Sequence, residues 1–236
     1  MEIQATGTGR IPDGITMRRV LKRLAGIVLI PFTRWYLSKE RPYNKAGLQL
    51  RVLPGVFHPG LFSSTTLLLE FLDEQDLKDN TLLELGCGTG LLSIAAARKG
   101  ARVTASDINP AAIENTRINA DENNVHLEMV ISDLFTDLPS SSFDWILINP
   151  PYYAKKPVND ADLAWYCGEN FEYFEKLFTQ LKFYRDSKII MVLTLECDLQ
   201  RIQAIADKNG FRLEGIREKK SLFDGKNLLY QIRPKN

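Results

Sequence analysis

The tetrapeptide Asn149-Pro-Pro-Tyr152 has groups suited to holding a planar NH₂ group. The Asn149 side-chain oxygen and the Pro150 carbonyl can each accept one N–H of that group, which would aim its nitrogen at an electrophile. The prolines restrict the backbone and offer no competing N–H, and Tyr152 can stack on a flat amide or base. The pattern indicates group transfer to an amide or aromatic amine nitrogen. The alternative is that it is only a rigid turn.

A glycine-rich loop, Gly86–Gly90, lies between a predicted strand, Thr81–Leu85, and the predicted helix Leu91–Arg98. Such a loop presents bare backbone and a helix N-terminus to a ligand. A dinucleotide-binding fold would have Gly-x-Gly-x-x-Gly, whereas this loop is Gly-x-Gly-x-Gly. Glu84 stands two positions before the loop, which favours a ligand with a cationic amino-acid group over a diphosphate.

Glu84 and Cys87 flank the start of this loop. A carboxylate buried in an apolar strand is costly unless hydrogen-bond donors surround it. We therefore expect Glu84 to accept from backbone N–H groups of the glycine loop or from an ammonium group of a cofactor. Cys87 is predicted to be a small apolar filler in the turn.

Two aspartates follow the next two predicted strands, Arg102–Ser106 and Val125–Ile131. Asp107 can accept hydrogen bonds from two ribose hydroxyls, and its alternative role is to cap the helix that follows Asn109-Pro110. Asp133 can accept from an adenine amino group, and its alternative role is that of a turn carboxylate.

The elements that must position these groups alternate between strand and helix. Strands separated by helices form a parallel sheet, and ligands of such sheets bind outside the carboxyl ends of the strands. The predicted fold is α/β: a Rossmann-like, seven-stranded, mostly parallel sheet with helices on both faces and an antiparallel C-terminal strand. The predicted strands are Thr81–Leu85, Arg102–Ser106, Val125–Ile131, Phe143–Ile148, Lys188–Leu195, Phe211–Arg217 and Asn227–Arg233, and the predicted helices are Thr65–Leu72, Leu91–Arg98, Ala111–Ala120, Gly168–Phe183 and Asp198–Asn209.

The segment before this sheet carries one further strand and a helix start. Gly47–Phe57 begins with alternating apolar and polar residues, which predicts a strand ending at Pro54-Gly55. Ser63 or Ser64 can cap the helix that follows. His58 is a candidate contact for cofactor or substrate, or else a packing residue of the loop.

Composition excludes several classes of protein. The chain has 236 residues, of which 44% are hydrophobic and 25% charged, and a net charge of +1, so it has no overall field that would select nucleic acid or a membrane. Three dispersed cysteines and two histidines argue against a metal site and against a disulfide framework. Cysteines used this way fit a reducing, cytoplasmic location.

Positive charge is concentrated at the N-terminus. Residues 1–51 hold ten Lys or Arg against three Asp or Glu. We expect a basic N-terminal extension, residues 1–47, and a single domain, residues 48–236. Met17–Leu37 is predicted to be an amphipathic helix that packs on the domain, lies on a membrane surface or contacts a ribosome or RNA. The apolar run Leu24–Phe32 is too short to span a bilayer.

The four motifs together resemble those of class I S-adenosylmethionine-dependent methyltransferases. They are Glu84-Leu-Gly-Cys-Gly-Thr-Gly90, Ser106-Asp-Ile-Asn-Pro110, Ser132-Asp-Leu134 and Asn149-Pro-Pro-Tyr152. The resemblance covers most of the chain, from Val56 onwards. An Asn-Pro-Pro-Tyr motif narrows it to enzymes that methylate a planar nitrogen: adenine N6, cytosine N4, guanine N2 or a glutamine amide.

Within that superfamily the chain is most similar to HemK-type N5-glutamine methyltransferases of release factors. The supporting stretches are Val56-Phe57-His58-Pro59, Ala164-Trp165 with Gly168, and Leu228–Lys235. The similarity is to the compact subgroup, which lacks the usual N-terminal helical bundle. The basic segment 1–45 departs from that pattern and leaves the partner open.

The resemblance implies S-adenosylmethionine as cofactor, no metal, and methyl transfer to a protein acceptor such as a translation release factor. It implies that Asn149, Pro150 and Tyr152 are the catalytic residues. The implied cofactor contacts are Glu84, Gly86, Cys87, Gly88, Gly90, Asp107, Ile108, Asp133, Leu134 and Asn149.

Two other functions fit the same residues. Methylation of an rRNA, tRNA or DNA base uses the same tetrapeptide, and a basic N-terminal segment would favour contact with phosphates. A module that binds the cofactor without turnover is the second, and the intact Asn149–Tyr152 argues against it.

Overall fold

The computed structural model describes residues 38–138, 142–221 and 225–235. A compact unit extends from Glu40 to Asn236. Near its start, Arg41–Lys45 (β1) pairs with Leu48–Val52 (β2) in an antiparallel hairpin. The hypotheses for Met17–Leu37 concern residues outside the described ranges. No helix in the described part of the chain is both long and apolar enough to cross a membrane.

Seven further strands form one sheet in the order β5-β4-β3-β6-β7-β9-β8. The first five strands of that order are parallel, β9 runs antiparallel to β7, and β8 pairs antiparallel with β9. The predicted seven-stranded, mostly parallel sheet is confirmed. Its strands are β3 Thr81–Leu85, β4 Arg102–Asp107, β5 Glu128–Ile131, β6 Trp145–Ile148, β7 Lys188–Thr194, β8 Phe211–Ser221 and β9 Gly225–Pro234.

Helices cover both faces of the sheet. They are α1 Ser63–Asp73, α2 Leu91–Arg98, α3 Pro110–Glu122, α4 Glu172–Gln180 and α5 Leu199–Lys208, and short 3₁₀ turns lie at Pro59–Leu61, Asp160–Ala164 and Leu181–Phe183. Side chains along β6 alternate between two cores: Trp145 and Leu147 pack with α1, α2 and α3, whereas Ile146 and Ile148 pack with α4 and α5. Burial on both faces explains the unbroken apolar sequence of β6.

Three buried asparagines, two on α3 and one at its C-cap, join this helix to the hairpin, and we call them the asparagine ladder. They are spaced four residues apart and therefore lie on one face of the helix. Their side-chain oxygens accept hydrogen bonds from backbone N–H groups of the hairpin. Asn115 Oδ1 accepts from Leu53 N at 2.8 Å, Asn119 Oδ1 from Arg51 N at 2.8 Å, and Asn123 Oδ1 from Gln49 N at 3.2 Å. Their amide nitrogens donate back to the carbonyls of Arg51 and Gln49. The ladder thus satisfies the edge of β2 that faces away from β1.

Two predicted helix starts are wrong. Helix α1 begins at Ser63, so Phe62 occupies the N-cap position and neither Ser63 nor Ser64 is the cap. Helix α4 begins at Glu172 rather than Gly168. Gly168 and Phe171 both have positive φ values, +89° and +63°, which a continuous α-helix does not allow.

Candidate functional site

A cavity of about 690 Å³ lies where the parallel strands end, and it gathers residues from all four predicted motifs. Gly90, Pro150 and Tyr152 are absent from its lining. Nine of the twelve predicted site residues line it: Glu84, Gly86, Cys87, Gly88, Asp107, Ile108, Asp133, Leu134 and Asn149.

The glycine loop is held by backbone hydrogen bonds and by close packing. Gly86 and Cys87 both donate their backbone N–H to the Ser106 carbonyl, at 2.8 and 3.0 Å. Gly90 has a φ of +75°, and a Cβ there would lie 2.7 Å from the Thr116 side chain. Only glycine fits this position, which explains how Gly90 shapes the loop without lining the cavity.

Glu84 is buried, 5% exposed, and binds helix α2 rather than the glycine loop. Its Oε2 accepts from the Ser93 backbone N–H at 2.8 Å and from the Ser93 hydroxyl at 2.5 Å. The predicted hydrogen bonds from Glu84 to N–H groups of the glycine loop are therefore wrong. Ser93 is the third residue of α2, and the backbone N–H groups of a helix's first turn have no partner within the helix, so Ser93 N is available to Glu84. Burial raises the pKa of Glu84 to about 8, and the two Ser93 bonds partly oppose that rise.

Asp107 uses its two oxygens to connect two loops. Its Oδ2 accepts from the Gly88 backbone N–H at 3.0 Å, and its Oδ1 accepts from the Asn109 N–H at 2.9 Å. The alternative that Asp107 caps helix α3 is wrong, because Asn109 is the N-cap and accepts from Ala111 N at 2.9 Å. Burial raises the pKa of Asp107, and the backbone hydrogen bonds oppose that rise.

Asp133 forms an ion pair that the sequence did not indicate. Its Oδ2 lies 2.5 Å from Lys176 Nζ, and its side chain is about half exposed (51%). Lys176 and Tyr173 are three residues apart on α4, and both line the cavity. The sequence offered only the three-residue spacing of Tyr173 and Lys176 as a sign that Lys176 belongs to the site, and such spacing is common on surface helices.

Asn149 is anchored through its nitrogen. Its Nδ2 donates to Thr65 Oγ1, in the first turn of α1, at 3.3 Å. Pro150 is buried, whereas Tyr152 is half-buried and meets Tyr153 edge to face with ring centroids 4.9 Å apart. Thr65 lines the cavity beside Asn149 and was missed, since 84 positions separate the two residues.

The loop after the tetrapeptide is fastened to a later segment. Tyr153 N donates to the Trp165 carbonyl at 3.1 Å, Cys167 N donates to the Tyr153 carbonyl at 3.0 Å, and Gly168 N donates to the Lys155 carbonyl at 3.1 Å. These bonds fix one wall of the cavity, to which Tyr166 and Cys167 belong.

An aromatic cluster made of Phe57, Phe62 and Trp165 lies between α1 and this loop. Their ring centroids are 5.0 to 5.4 Å apart, and all three residues are half-buried. His58 is buried, accepts from Gly60 N at 3.1 Å and contacts the Tyr43 ring, which fits the packing role rather than a ligand contact. Burial lowers its pKa.

No group of three or more His, Cys, Asp or Glu side chains within residues 38–138, 142–221 and 225–235 is arranged to hold a metal ion.

Three relatives illustrate what the sequence is similar to. A protein of Methanocaldococcus jannaschii named "Putative protein N5-glutamine methyltransferase" is 44% identical over 107 residues, 45% of this chain and 52% of that protein. The ribosomal RNA small subunit methyltransferase C of Serratia proteamaculans is 33% identical over 47% of this chain and 32% of its own. The ribosomal protein L11 methyltransferase of Pseudomonas fluorescens is 42% identical over 49% of this chain and 39% of its own. The matches span about half of these relatives' length or less.

Solved structures share the fold at low identity. The Mtq2 and Trm112 complex of E. cuniculi, responsible for methylation of the eRF1 termination factor, matches with a TM-score of 0.59 and 18% identity, over 77% of this chain and 99% of the matched chain. The T. thermophilus 16S rRNA N2 G1207 methyltransferase, crystallised with AdoMet and guanosine, matches with a TM-score of 0.57 and 19% identity, over 84% of this chain and 50% of that one.

These likenesses agree with the family match, which covers the lining of the cavity and strands β3 to β7. The family model of the methyltransferase small domain matches residues 47–213, well over half of the sequence. The chain therefore belongs to the methyltransferase small domain family.

Proposed function

We propose that this protein transfers the methyl group of S-adenosylmethionine to a planar amide or amine nitrogen. The observation that carries the proposal is the position of Asn149, whose side chain lines the same cavity as the glycine loop and Asp107. A cofactor bound along that loop would share the cavity with an amide able to grip an NH₂ group.

The cofactor side of this proposal assigns roles to three carboxylates that line the cavity. Asp107 would accept the ribose hydroxyls, and Asp133 an adenine amino group, with Ile108 and Leu134 flanking the ring. Glu84 would face the cationic amino-acid part of the cofactor. The ammonium group would then favour the charged form of the Glu84 carboxyl. The backbone of Gly86, Cys87 and Gly88 would run along the cofactor, while Gly90 would shape the turn. The neighbours crystallised with AdoMet or S-adenosylhomocysteine share this fold.

The acceptor side would activate the nitrogen by hydrogen bonding. Asn149 Oδ1 and the Pro150 carbonyl would each accept one N–H, which aligns the nitrogen and favours an electron-rich, pyramidal transition state. Tyr152 would stack on the flat acceptor once it is bound. No general base is needed, since the nitrogen loses its proton readily after the methyl has moved.

A glutamine side chain of a protein, of the release-factor type, is the acceptor that we propose first. It is supported by the 44% identity to the M. jannaschii relative, whose name specifies N5-glutamine. A second candidate is a base of RNA or DNA, supported by rRNA methyltransferase relatives and by ten basic residues against three acidic residues in 1–51. We further propose that residues 1–47 form an extension that contacts the macromolecule carrying the methyl acceptor. Residues 48–236 would form the catalytic domain.

Labelled cofactor distinguishes the two acceptors. Cell extract is incubated with the protein and methyl-labelled S-adenosylmethionine, then divided and treated with RNase, DNase or protease. Label that resists both nucleases and is lost to protease supports a protein acceptor. Label lost to a nuclease but not to protease supports a base instead. Label that never exceeds the background of extract alone supports a module without turnover.

A further inference from the structure

Asn149 can grip an acceptor only if its oxygen, and not its nitrogen, faces the incoming NH₂ group. The two ends of an amide have opposite hydrogen-bonding roles, so a flipped amide would present donors to donors. What holds Asn149 Nδ2 therefore decides whether the residue can act. The structure gives that nitrogen one partner among the described residues, Thr65 Oγ1 at 3.3 Å.

We propose that Thr65 is a positioning residue, which fixes the Asn149 amide so that Oδ1 faces the methyl acceptor. The proposal depends on the function proposed above for Asn149. Thr65 would not touch the reacting atoms in this scheme; it would act only through the orientation of Asn149.

Thr65 is well placed to be a fixed point. It is buried, 6% exposed, in the first turn of α1, and its branched side chain has few allowed rotamers. The helix behind it is anchored by Leu67, Leu68 and Leu72, each at most 1% exposed. The Thr65 hydroxyl, held on packed helix α1, can therefore fix the Asn149 amide, which follows the end of the buried strand β6.

The other end of the Asn149 amide is open to the cavity. Within the described residues, Oδ1 accepts no hydrogen bond, and no buried side-chain oxygen or nitrogen lacks a partner. An unpartnered Oδ1 must then be accessible, and Asn149 lines the cavity. Because Thr65 occupies the nitrogen, the accessible end is the acceptor of hydrogen bonds.

A double-mutant cycle tests the coupling. Thr65→Val keeps the shape of the side chain but removes the oxygen, and Thr65→Ser retains it. The rate of methyl transfer is measured with labelled S-adenosylmethionine on the acceptor identified in the extract assay. We expect Thr65→Val to lower kcat roughly 3- to 10-fold, the loss of one hydrogen bond, and Thr65→Ser to restore most of it. In an Asn149→Ala background, Thr65→Val should change nothing more.

Two further measurements keep the outcome clear. Calorimetry with S-adenosylhomocysteine should give the same Kd for the wild-type protein and Thr65→Val. In an NMR spectrum of asparagine-labelled protein, the Asn149 NH₂ signal should shift and exchange faster in Thr65→Val but not in Thr65→Ser. This second measurement needs no activity, and so decides the case if Asn149→Ala is too slow to measure.

Each failure has its own signature. If Thr65→Val lowers the rate equally in the Asn149→Ala background, weakens S-adenosylhomocysteine binding, or leaves both rate and NMR signal unchanged, Thr65 is not a positioning residue. If Asn149→Ala itself leaves transfer intact, the proposed function of Asn149 fails first, whatever Thr65 does.

Discussion

The two sides of the cavity hold their polar groups in different ways. On the glycine-loop side (residues 84–93 and 106–109), Glu84 and Asp107 each accept two hydrogen bonds from the protein, most of them from backbone N–H groups. On the Asn149 side (residues 57–65 and 149–168), one side-chain bond of 3.3 Å anchors the central amide, and the surrounding aromatic rings are half-buried.

This difference matches what each side would have to bind. A cofactor has one structure, so a site preorganised by backbone geometry suits it. An acceptor attached to a macromolecule must enter and leave, and a wall of half-buried aromatic rings suits a larger, variable surface. The first side is therefore expected to control affinity for the cofactor, and the second the rate of transfer.

The substitution Asn149→Ala should have the largest effect. We expect methyl transfer to fall by about 100-fold or more, because an oriented hydrogen bond in the transition state is lost, while the Kd for S-adenosylhomocysteine changes by less than about 3-fold. Labelled-methyl transfer and calorimetry measure the two quantities. Asn159→Ala is the matched control, since Asn159 lies in the same loop and only caps a 3₁₀ turn. Equal losses in both variants would show that loop stability, not the amide, limits the rate.

Asp107→Asn should have the opposite pattern of effects, weakening cofactor binding on the glycine-loop side more than it lowers the rate of methyl transfer. This change removes the negative charge and converts one of the two acceptor oxygens into an NH₂ donor, so we expect S-adenosylhomocysteine to bind about 10- to 100-fold more weakly. At saturating cofactor the transfer rate should change less. Asp133→Asn is the comparison: its carboxylate is half exposed and paired with Lys176, and such pairs contribute little. Equal effects at both positions would refute the distinction between a carboxylate held by two backbone N–H groups and an exposed one paired with a lysine.

The parts of the site that the sequence predicted are those encoded over short distances. The strand Thr81–Leu85, the turn after it and the helix Leu91–Arg98 follow one another directly, and the structure has all three with the predicted bounds. Apolar strands buried on both faces made the sheet recognisable as well. The predicted helix bounds were less accurate where a residue has a left-handed backbone conformation. Phe171 is the example, because its positive φ makes α4 begin at Glu172 instead of Gly168.

The parts that could not be predicted connect residues far apart in the chain. Thr65 meets Asn149 across 84 positions, and Asp133 meets Lys176 across 43. Neither pair has a pattern of its own, since threonine, lysine and aspartate are common on helices and turns. The buried asparagines of α3 illustrate the same limit, because asparagine in a helix ordinarily predicts an exposed face.

The asparagine ladder gives a way to weaken the glycine-loop side from a distance. Asn119 accepts from Arg51 N and donates to the carbonyls of Arg51 and Thr89, so it links the hairpin to the glycine loop. Asn119→Ala leaves these groups unsatisfied, and we expect a loss of about 2 kcal/mol in the free energy of unfolding. Urea denaturation measures it, with the exposed Glu114→Ala on the same helix as the control. A loss below about 0.5 kcal/mol would mean that water replaces the amide there.

The pH dependence of cofactor binding should provide the smallest and most specific test. Burial raises the pKa of Glu84 to about 8, so in the free protein this carboxyl is mostly protonated at pH 7. A cationic ligand favours the ionised form, and binding must then release a proton. The apparent affinity for S-adenosylhomocysteine should therefore rise with pH, by about 5-fold between pH 7 and 8, and level off above the raised pKa. Calorimetry at pH 7 in two buffers of different ionisation enthalpy should detect release of about one proton.

Glu84→Gln is the matched variant, because it keeps the shape of the side chain and cannot ionise. Its affinity should be lower than that of the wild-type protein above pH 8 and should not vary as pH falls from 8 to 7. Ser93 bears on the interpretation, since its N–H and hydroxyl already stabilise the carboxylate and limit the size of the effect. If the wild-type protein releases no proton, or if Glu84→Gln retains the same pH slope, Glu84 does not face the cation. The buried carboxylate would then serve only to fasten β3 to α2, and the glycine-loop side would recognise its ligand through Asp107 and the backbone alone.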